Sequence, residues 1–375
     1  MDIDLNLDHA APLPSRSDFG IGAVGAGFIM RDVQLQAYAK AGFNVVGITS
    51  RTLEIAREVA DLRAIPKVHE TLHEMLLDPD VQILDIAVPP DCQLDIVRQA
   101  VEDGIHLKGI LAQKPLAVGY EQARQIVELC KSRGLPLVVN QNMRYDQSIR
   151  ALKTILRRNY LGEPVLATIE MRAVPHWQTW LRPYGRLTLL NMSVHHLDCF
   201  RFLFGDPDAI FLSVRQDPRT RFTHEDGICL YILEYANGFR ASAWDDVWAG
   251  PRTASNDLRP YIKWRVEGTE GLAEGTIGWP DYPNHRPSTL TFTTSAQPNV
   301  WLTPHWNDVW FPDAFQGPMA ELMQAIATGA EPETNGTDNL KTMALIEAGY
   351  QSVRERRLVG VAAALTDLGA ALPVA

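Results

Sequence analysis

From Phe19 to Asn140 short apolar runs alternate with helix-length amphipathic segments, the pattern of repeated βαβ units around a mostly parallel sheet. The runs FGIGAV, NVVGIT, VQILDIAV, HLKGIL and PLVVN predict its strands. Between them FIMRDVQLQAYAKAG, DCQLDIVRQAVEDG and YEQARQIVELCKSRG keep helical spacing and stop at Gly42, Gly104 and Gly134, where glycine can take the left-handed cap conformation. After roughly residue 150 the period shortens to two: PVLATIEMRAV, CLYILEYA and FRASAWDDVW, turned by Gly or Asn-Gly, predict a largely antiparallel sheet. DAFQGPMAELMQAIATG and TDNLKTMALIEAGYQSVRE then return to helix. The pattern predicts an α/β protein with a flexible tail over residues 1–17, a doubly wound domain over 18–142, and an α+β domain on a large, mostly antiparallel sheet over 143–375.

A length of 375 residues, 46% of them hydrophobic, favours two domains with substantial cores. The net charge of −10, spread without long runs of one sign, argues against nucleic acid and anionic membrane as partners. No apolar run reaches the roughly 18–20 residues of a membrane span, and the acidic N-terminus lacks the basic start of a signal peptide. Cys92, Cys130, Cys199 and Cys229 are widely spaced, reading as thiols of a reducing compartment. The expectation is a cytoplasmic protein.

IGAVGAGFIM places Gly25 and Gly27 between the first strand and the following helix. There bare backbone lets a pyrophosphate approach the helix N–H groups, a GxGxx dinucleotide fingerprint that makes the first domain a Rossmann domain. Met30 stands where the usual pattern has a third glycine, which predicts looser helix-to-strand packing. The second strand ends in Thr49, Ser50 and Arg51, with no carboxylate for the ribose hydroxyls. Ser50 and Arg51 suit a 2′-phosphate, so NADP is favoured over NAD; Arg51 also fits a solvated position opening the next helix.

ILAQKPLA puts Lys114 at the carboxyl end of the fifth predicted strand, the edge where doubly wound sheets bind ligands. Pro115 biases Lys114 to an extended conformation. A second constellation is LLNMSVHHLDCFRFLFG, read as a helix with Leu190, Val194, Leu197 and Phe204 on one apolar face and Gly205 as its stop. Asn191, His195 and Asp198 stand beside that face at i, i+4 and i+7, where polar groups are costly to bury unless paired or functional. His195 has the ionisation range of a general acid or base, with Asn191 or Asp198 to orient it. His196 points about 100° away and reads as a packing histidine, and diverging neighbours on a helix argue against a metal site.

With the glycine turn, QKP and HHLD together, the chain resembles the Gfo/Idh/MocA oxidoreductases, the family of glucose–fructose oxidoreductase and inositol dehydrogenase, from about Phe19 onward. The resemblance implies a lysine at 114 touching nicotinamide and substrate, a histidine at 195 acting as acid or base, and Asp198 as its support. It also implies cofactor contacts at Phe28, Ile29, Pro89, Gln113 and Asn142, besides Gly25, Gly27, Ser50 and Arg51, and a homodimer or homotetramer built on the second sheet. Substrate contacts are expected at Lys114, Asn191, His195 and Arg144, the last from NQNMRYD, which also fits a structural hinge. Trp177 and Arg182, from PHWQTWLRPYG, are candidates for a sugar ring and a carboxylate, and the stretch fits an ordered loop or dimer contact equally well. The sequence departs from the family at two positions: Gln113 replaces the motif glutamate and Asn191 the helix aspartate, so two carboxylates are missing.

These readings imply an NAD(P)-dependent oxidoreductase moving a hydride to or from a hydroxyl-bearing carbon of a sugar, polyol or sugar acid. Transient oxidation followed by elimination or isomerisation and re-reduction is an alternative. The lost carboxylates also fit a non-catalytic NAD(P)-binding sensor or repressor.

Overall fold

The computed structural model describes residues 3–172, 179–246, 250, 260–278, 286–367 and 369. Strands β1 (Ile21–Val24), β2 (Val45–Thr49), β3 (Lys67–Val68), β4 (Ile83–Ile86), β5 (Gly109–Ala112) and β6 (Leu137–Val139) form one sheet in the order β3-β2-β1-β4-β5-β6. Every pair in it is parallel. This is the Rossmann strand order, in which the chain reverses direction between β1 and β4 and leaves a crevice at the strands' carboxyl ends. β1, β4 and β5 are buried throughout, as continuous apolar runs in a covered parallel sheet require. The two-residue β3 carries too little pattern to be seen in the sequence.

A second sheet comprises β7 (Pro164–Arg172), β8 (Ala209–Arg215), β9 (Ile228–Glu234), β10 (Arg240–Asp246), β11 (Tyr261–Gly268), β12 (Gly271–Ile277), β13 (Thr289–Thr294) and β14 (Val359–Gly360). Its order is β13-β12-β11-β7-β10-β9-β8-β14. The β7–β10 pair is parallel and the other six are antiparallel. Residues alternate between a buried and an open face: on β10 Ala241, Ala243 and Asp245 are buried, whereas Trp244 is exposed.

The division of the chain differs from the predicted one at both ends. One unit comprises residues 11–142 with 312–343, the other 1–10, 143–311 and 344–374. Residues 312–343 extend the Rossmann unit because the helix Gln316–Thr328 covers its sheet: a side chain at Gly109 would meet Leu322 and Ile326 within 3.0 Å. Val139 N–H also donates to the Thr334 carbonyl at 2.8 Å. Periodicity marks such a helix but does not say which sheet it covers.

The expected flexible tail is held in place over its described residues. Leu7 is buried, Arg158 donates to the carbonyls of Asp4 (3.0 Å) and Asn6 (2.9 Å), and the His9 ring stacks on Trp306 at 5.3 Å. Within the other unit, Ser15 N–H donates to Gln324 Oε1 at 2.8 Å.

Two helix stops have the left-handed glycine expected, Gly42 (φ 71°) and Gly134 (φ 63°). Gly104 does not, with φ −79°. It is needed for clearance instead: a Cβ there would lie 2.5 Å from the Ala100 carbonyl oxygen and 2.5 Å from Leu107 Cδ1. Among the described residues no helix is long and apolar enough to cross a membrane.

Candidate active site

In the Rossmann unit the candidate residues follow from the strand ends. Gly25 leaves β1 with φ 100°, and a Cβ on it would strike the Ala87 carbonyl oxygen at 2.4 Å; only glycine fits there. At Gly27 a Cβ would meet nothing within 4 Å, so this side of the turn is open. Helix begins immediately after, as a π-helical turn Ile29–Gln34 continued by the α-helix Leu35–Ala41. Its first N–H groups have no intrahelical partners and suit a phosphate. Phe28 is exposed, Ile29 half-buried, and Met30, in the third-glycine position, fully buried. Ser50 is half-buried at the end of β2 and Arg51 exposed; Pro89 is exposed after β4. After β6, Gln141 is 1% exposed with neither amide atom hydrogen-bonded, while the Asn142 amide donates to the Asn140 carbonyl at 3.1 Å. A cradle of bare backbone and an unsatisfied buried amide, both at carboxyl ends of parallel strands, fit a dinucleotide.

Lys114 follows β5 in a turn whose Lys114–Pro115 peptide bond is cis. Gln93, on the helix Pro90–Asp103, clamps that turn from beneath. Its Nε2 donates to the carbonyls of Gln113 (2.9 Å), Pro115 (2.9 Å) and Leu116 (3.2 Å), and its Oε1 accepts from Gln113 N–H at 2.9 Å. Gln113 itself is buried; its Nε2 donates to Gln34 Oε1 at 3.2 Å and its Oε1 accepts from Lys114 N–H at 3.0 Å. Burial lowers the Lys114 amine from the ordinary lysine range to about 7, because desolvation disfavours the charged form. An amine that ionises near neutrality can both orient a hydroxyl and exchange a proton with it.

In the sheet unit the histidine segment is not a plain helix. Leu189–Ser193 is a π-helical turn and Val194–Phe204 an α-helix. Residues Leu189–Leu203 are buried on every side rather than along one apolar face, so the polar stripe lies inside the protein. Asp226, fully buried, anchors its start: its carboxylate accepts from Leu187 N–H (2.7 Å), Leu189 N–H (2.7 Å) and Tyr350 O–H (3.0 Å). A carboxylate there also complements the helix dipole. Desolvation nevertheless raises its ionisation to about 6. Further along, Asp245 of β10 accepts from Ser193 O–H and pairs with His196 Nδ1 at 3.0 Å. His196 is thereby tied into the sheet, and His195, one residue away, packs edge-to-face on Trp310 with ring centroids 5.7 Å apart.

Arg144 and Asp198 meet each other. Arg144 Nε and Nη2 donate to the two Asp198 oxygens at 2.5 and 2.7 Å, with 5% and 1% of the side chains exposed. The substrate role read for Arg144 and the histidine support read for Asp198 thus meet a competing use, a buried bidentate ion pair. Asn191 is 1% exposed, Arg182 is exposed on the turn Thr179–Tyr184, and Trp177 lies outside the described residues.

Sequence reasoning missed Gln34, Asp85, Gln93 and Asp226. A signal existed for Asp85, a lone carboxylate in the apolar run VQILDIAV; the glutamines resemble any polar helix residue.

The chain is similar to known proteins over about nine-tenths of its length. A D-apiose dehydrogenase of Paraburkholderia graminis is 28% identical over 344 residues, covering 90% of this chain and 88% of that one. An oxidoreductase of Agrobacterium radiobacter, solved in complex with NAD+, L-tartaric acid and magnesium, shares the fold with a TM-score of 0.76 at 23% identity, covering 92% of this chain and 98% of that one. The aldose-aldose oxidoreductase of Caulobacter crescentus, solved with glycerol, does so with a TM-score of 0.77 at 20% identity, covering 92% and 99%. Residues 19–141 match the NAD-binding Rossmann-fold domain of the Gfo/Idh/MocA oxidoreductase family and residues 153–361 its C-terminal α/β domain. With the glycine turn, the lysine turn and the histidine helix inside those spans, the chain belongs to the Gfo/Idh/MocA oxidoreductase family.

Proposed function

We propose that the chain is an NAD(P)-dependent dehydrogenase that moves a hydride to or from a hydroxyl-bearing carbon of a sugar, polyol or sugar acid. When bound, the nicotinamide supplies the hydride acceptor or donor. Gly25, Gly27, the backbone of Phe28 and Ile29, Ser50, Arg51, Pro89, Gln113, Lys114 and Asn142 would hold the cofactor, with Gln141 offering a further buried amide. Lys114 orients the substrate hydroxyl and His195 takes or gives its proton. The reading rests above all on Lys114: an amine brought to about 7 by burial, at the carboxyl end of a parallel strand. The D-apiose dehydrogenase relative supports a sugar as substrate.

Ser50 and Arg51 at the end of β2 favour NADP, and Arg51→Ala should weaken NADP binding about tenfold while leaving NAD nearly unchanged. The open face of the second sheet favours a homodimer or homotetramer, because Phe211, Leu230, Ile232 and Trp244 lie exposed on adjacent strands. Four cysteines without a disulfide support a cytoplasmic setting.

The test offers D-apiose, other aldoses, polyols and sugar acids with each cofactor, following nicotinamide absorbance and substrate separately. Turnover with net cofactor reduction is expected, lost in Lys114→Ala and in His195→Ala while cofactor affinity persists. Substrate loss without an absorbance change would replace this reading with transient oxidation. Tight NADP binding with no turnover of any compound would replace it with a sensor.

A further inference from the structure

The carboxylate missing at position 113 has a counterpart one amide away, beyond Gln34. Asp85, in the middle of β4, is fully buried, as are Gln34 and Tyr38 on the helix that follows the glycine turn. Tyr38 O–H donates to Asp85 Oδ2 at 2.8 Å, and Gln34 Nε2 lies 2.9 and 2.8 Å from its two oxygens. Burial raises the Asp85 carboxyl to about 7; in its ionised form it only accepts, so it fixes the Gln34 amide with its nitrogen toward Asp85. Gln34 Oε1 then faces away and can only accept, and Gln113 Nε2 meets it at 3.2 Å. That fixes Gln113 in turn, leaving its Oε1 for Lys114 N–H at 3.0 Å. Each amide is oriented by the one before it, and the direction begins at Asp85.

We propose that Asp85 is a positioning residue for Lys114, setting through Gln34 and Gln113 the turn from which the lysine projects. The inference rests on the proposed role of Lys114. It also accounts for Gln113: a glutamate there would set its oxygen against Gln34 Oε1, acceptor against acceptor, beside an already buried carboxylate. Asp85, Gln34 and Gln113 therefore form a matched set, in which the carboxyl group sits on β4 instead of in the lysine turn.

The set makes a reciprocal prediction. In Asp85→Asn one of the two atoms near Gln34 Nε2 becomes a donor, so the Gln34 amide is driven to turn over, presenting its nitrogen to Gln113. Gln113 then turns as well and sets its own nitrogen against Lys114 N–H. Placing Glu at 113 in that background restores order: it accepts from the reversed Gln34 and from Lys114 N–H. A residue that merely fills space in β4 predicts no such rescue.

The experiment measures acylation of Lys114 by acetic anhydride in the full chain, read by peptide mass spectrometry across pH, with kcat and KM for the sugar turned over best. Asp85→Asn and Gln113→Glu should each change the Lys114 acylation rate and lower kcat by about tenfold, the scale of a small misplacement of a reacting group, with little change in KM. The double variant should return to within about threefold of wild type. Effects that multiply in the double variant, or single variants like wild type, overturn the proposal. Should Asp85→Asn fail to fold, Gln34→Met, which spares β4 and the lysine turn and cuts the link between Asp85 and Gln113, must show the same loss, and wild-type behaviour there overturns it. Absence of turnover in the wild-type chain would count against the proposed function alone, because the acylation pattern still decides the positioning role.

Discussion

Replacing Arg144 by methionine separates a ligand contact from a structural one. The guanidinium neutralises Asp198, whose side chain is 1% exposed, and removing one partner of such a pair leaves a buried charge, typically at a cost of about 3–5 kcal/mol. Arg201 tempers this: its Nη1 lies 3.7 Å from Asp198 Oδ1, a gross attraction of about 4 kcal/mol at an effective dielectric of about 20. Although Arg201 also pairs with Asp206 at 2.7 Å, it still faces Asp198, so the loss should fall at the low end, about 3 kcal/mol. In a unit of this size that corresponds to a fall of about 6–12 °C in the midpoint of its thermal transition. Arg144→Met combined with Asp198→Asn removes both charges and should recover most of the loss. The assay is calorimetry or circular dichroism of the three variants, with KM measured alongside. A midpoint within about 2 °C of wild type for Arg144→Met, with KM raised tenfold or more, would refute the structural assignment and return Arg144 to the substrate.

The folded-state ionisation of Lys114, about 7, lies below that of an exposed lysine. The unfolded chain therefore binds the extra proton between about pH 7 and about pH 10.4, and this group's contribution to stability rises with pH across that window. Lys114→Met should be inactive yet more stable than wild type at pH 6, the difference shrinking as pH approaches 10; a constant difference in urea titrations would contradict the shift. Asp226→Ala leaves two backbone N–H groups and the Tyr350 hydroxyl unsatisfied and should cost about 3 kcal/mol or more, with kcat falling because the His195 segment loses its anchor. Its wild-type carboxyl, raised to about 6, favours the folded state below that pH and loses this advantage as pH rises from about 4 to 6; a denaturation series in which the difference between wild type and Asp226→Asn ignores pH over that window would count against it. Trp244→Arg, on the open face opposite Leu230, should halve the mass measured by light scattering while leaving the thermal midpoint of the sheet unit nearly unchanged.

Much of the architecture is written in local periodicity. Alternation of buried strands with amphipathic helices, then the change to a period of two, reports how each segment buries its apolar atoms, and Gly25 is legible because only glycine can occupy φ 100° against the Ala87 carbonyl. The positions of Lys114 and His195 were legible for a similar reason: charged or ionisable side chains inside apolar runs need an explanation wherever the chain goes. What each one touches is not a local property. Arg144 and Asp198 are 54 residues apart, His196 and Asp245 49, and Gln34 and Asp85 51. No spacing rule connects such pairs, because they are joined only when a sheet edge or a helix face closes over them.

The sequence by itself determined a Rossmann half, a sheet-based half and the presence of a lysine and a histidine in unusual surroundings. Only the tertiary structure decided that residues 312–343 cover the Rossmann sheet, that Asp198 answers Arg144, and that Asp85 reaches Lys114 through two glutamines. The physical reason is that burial pattern is a property of a segment, whereas hydrogen-bond satisfaction belongs to whatever the fold brings within about 3 Å. A glutamine at 113 is a lost carboxylate when compared position by position; in three dimensions it is the last link from a carboxylate on the neighbouring strand.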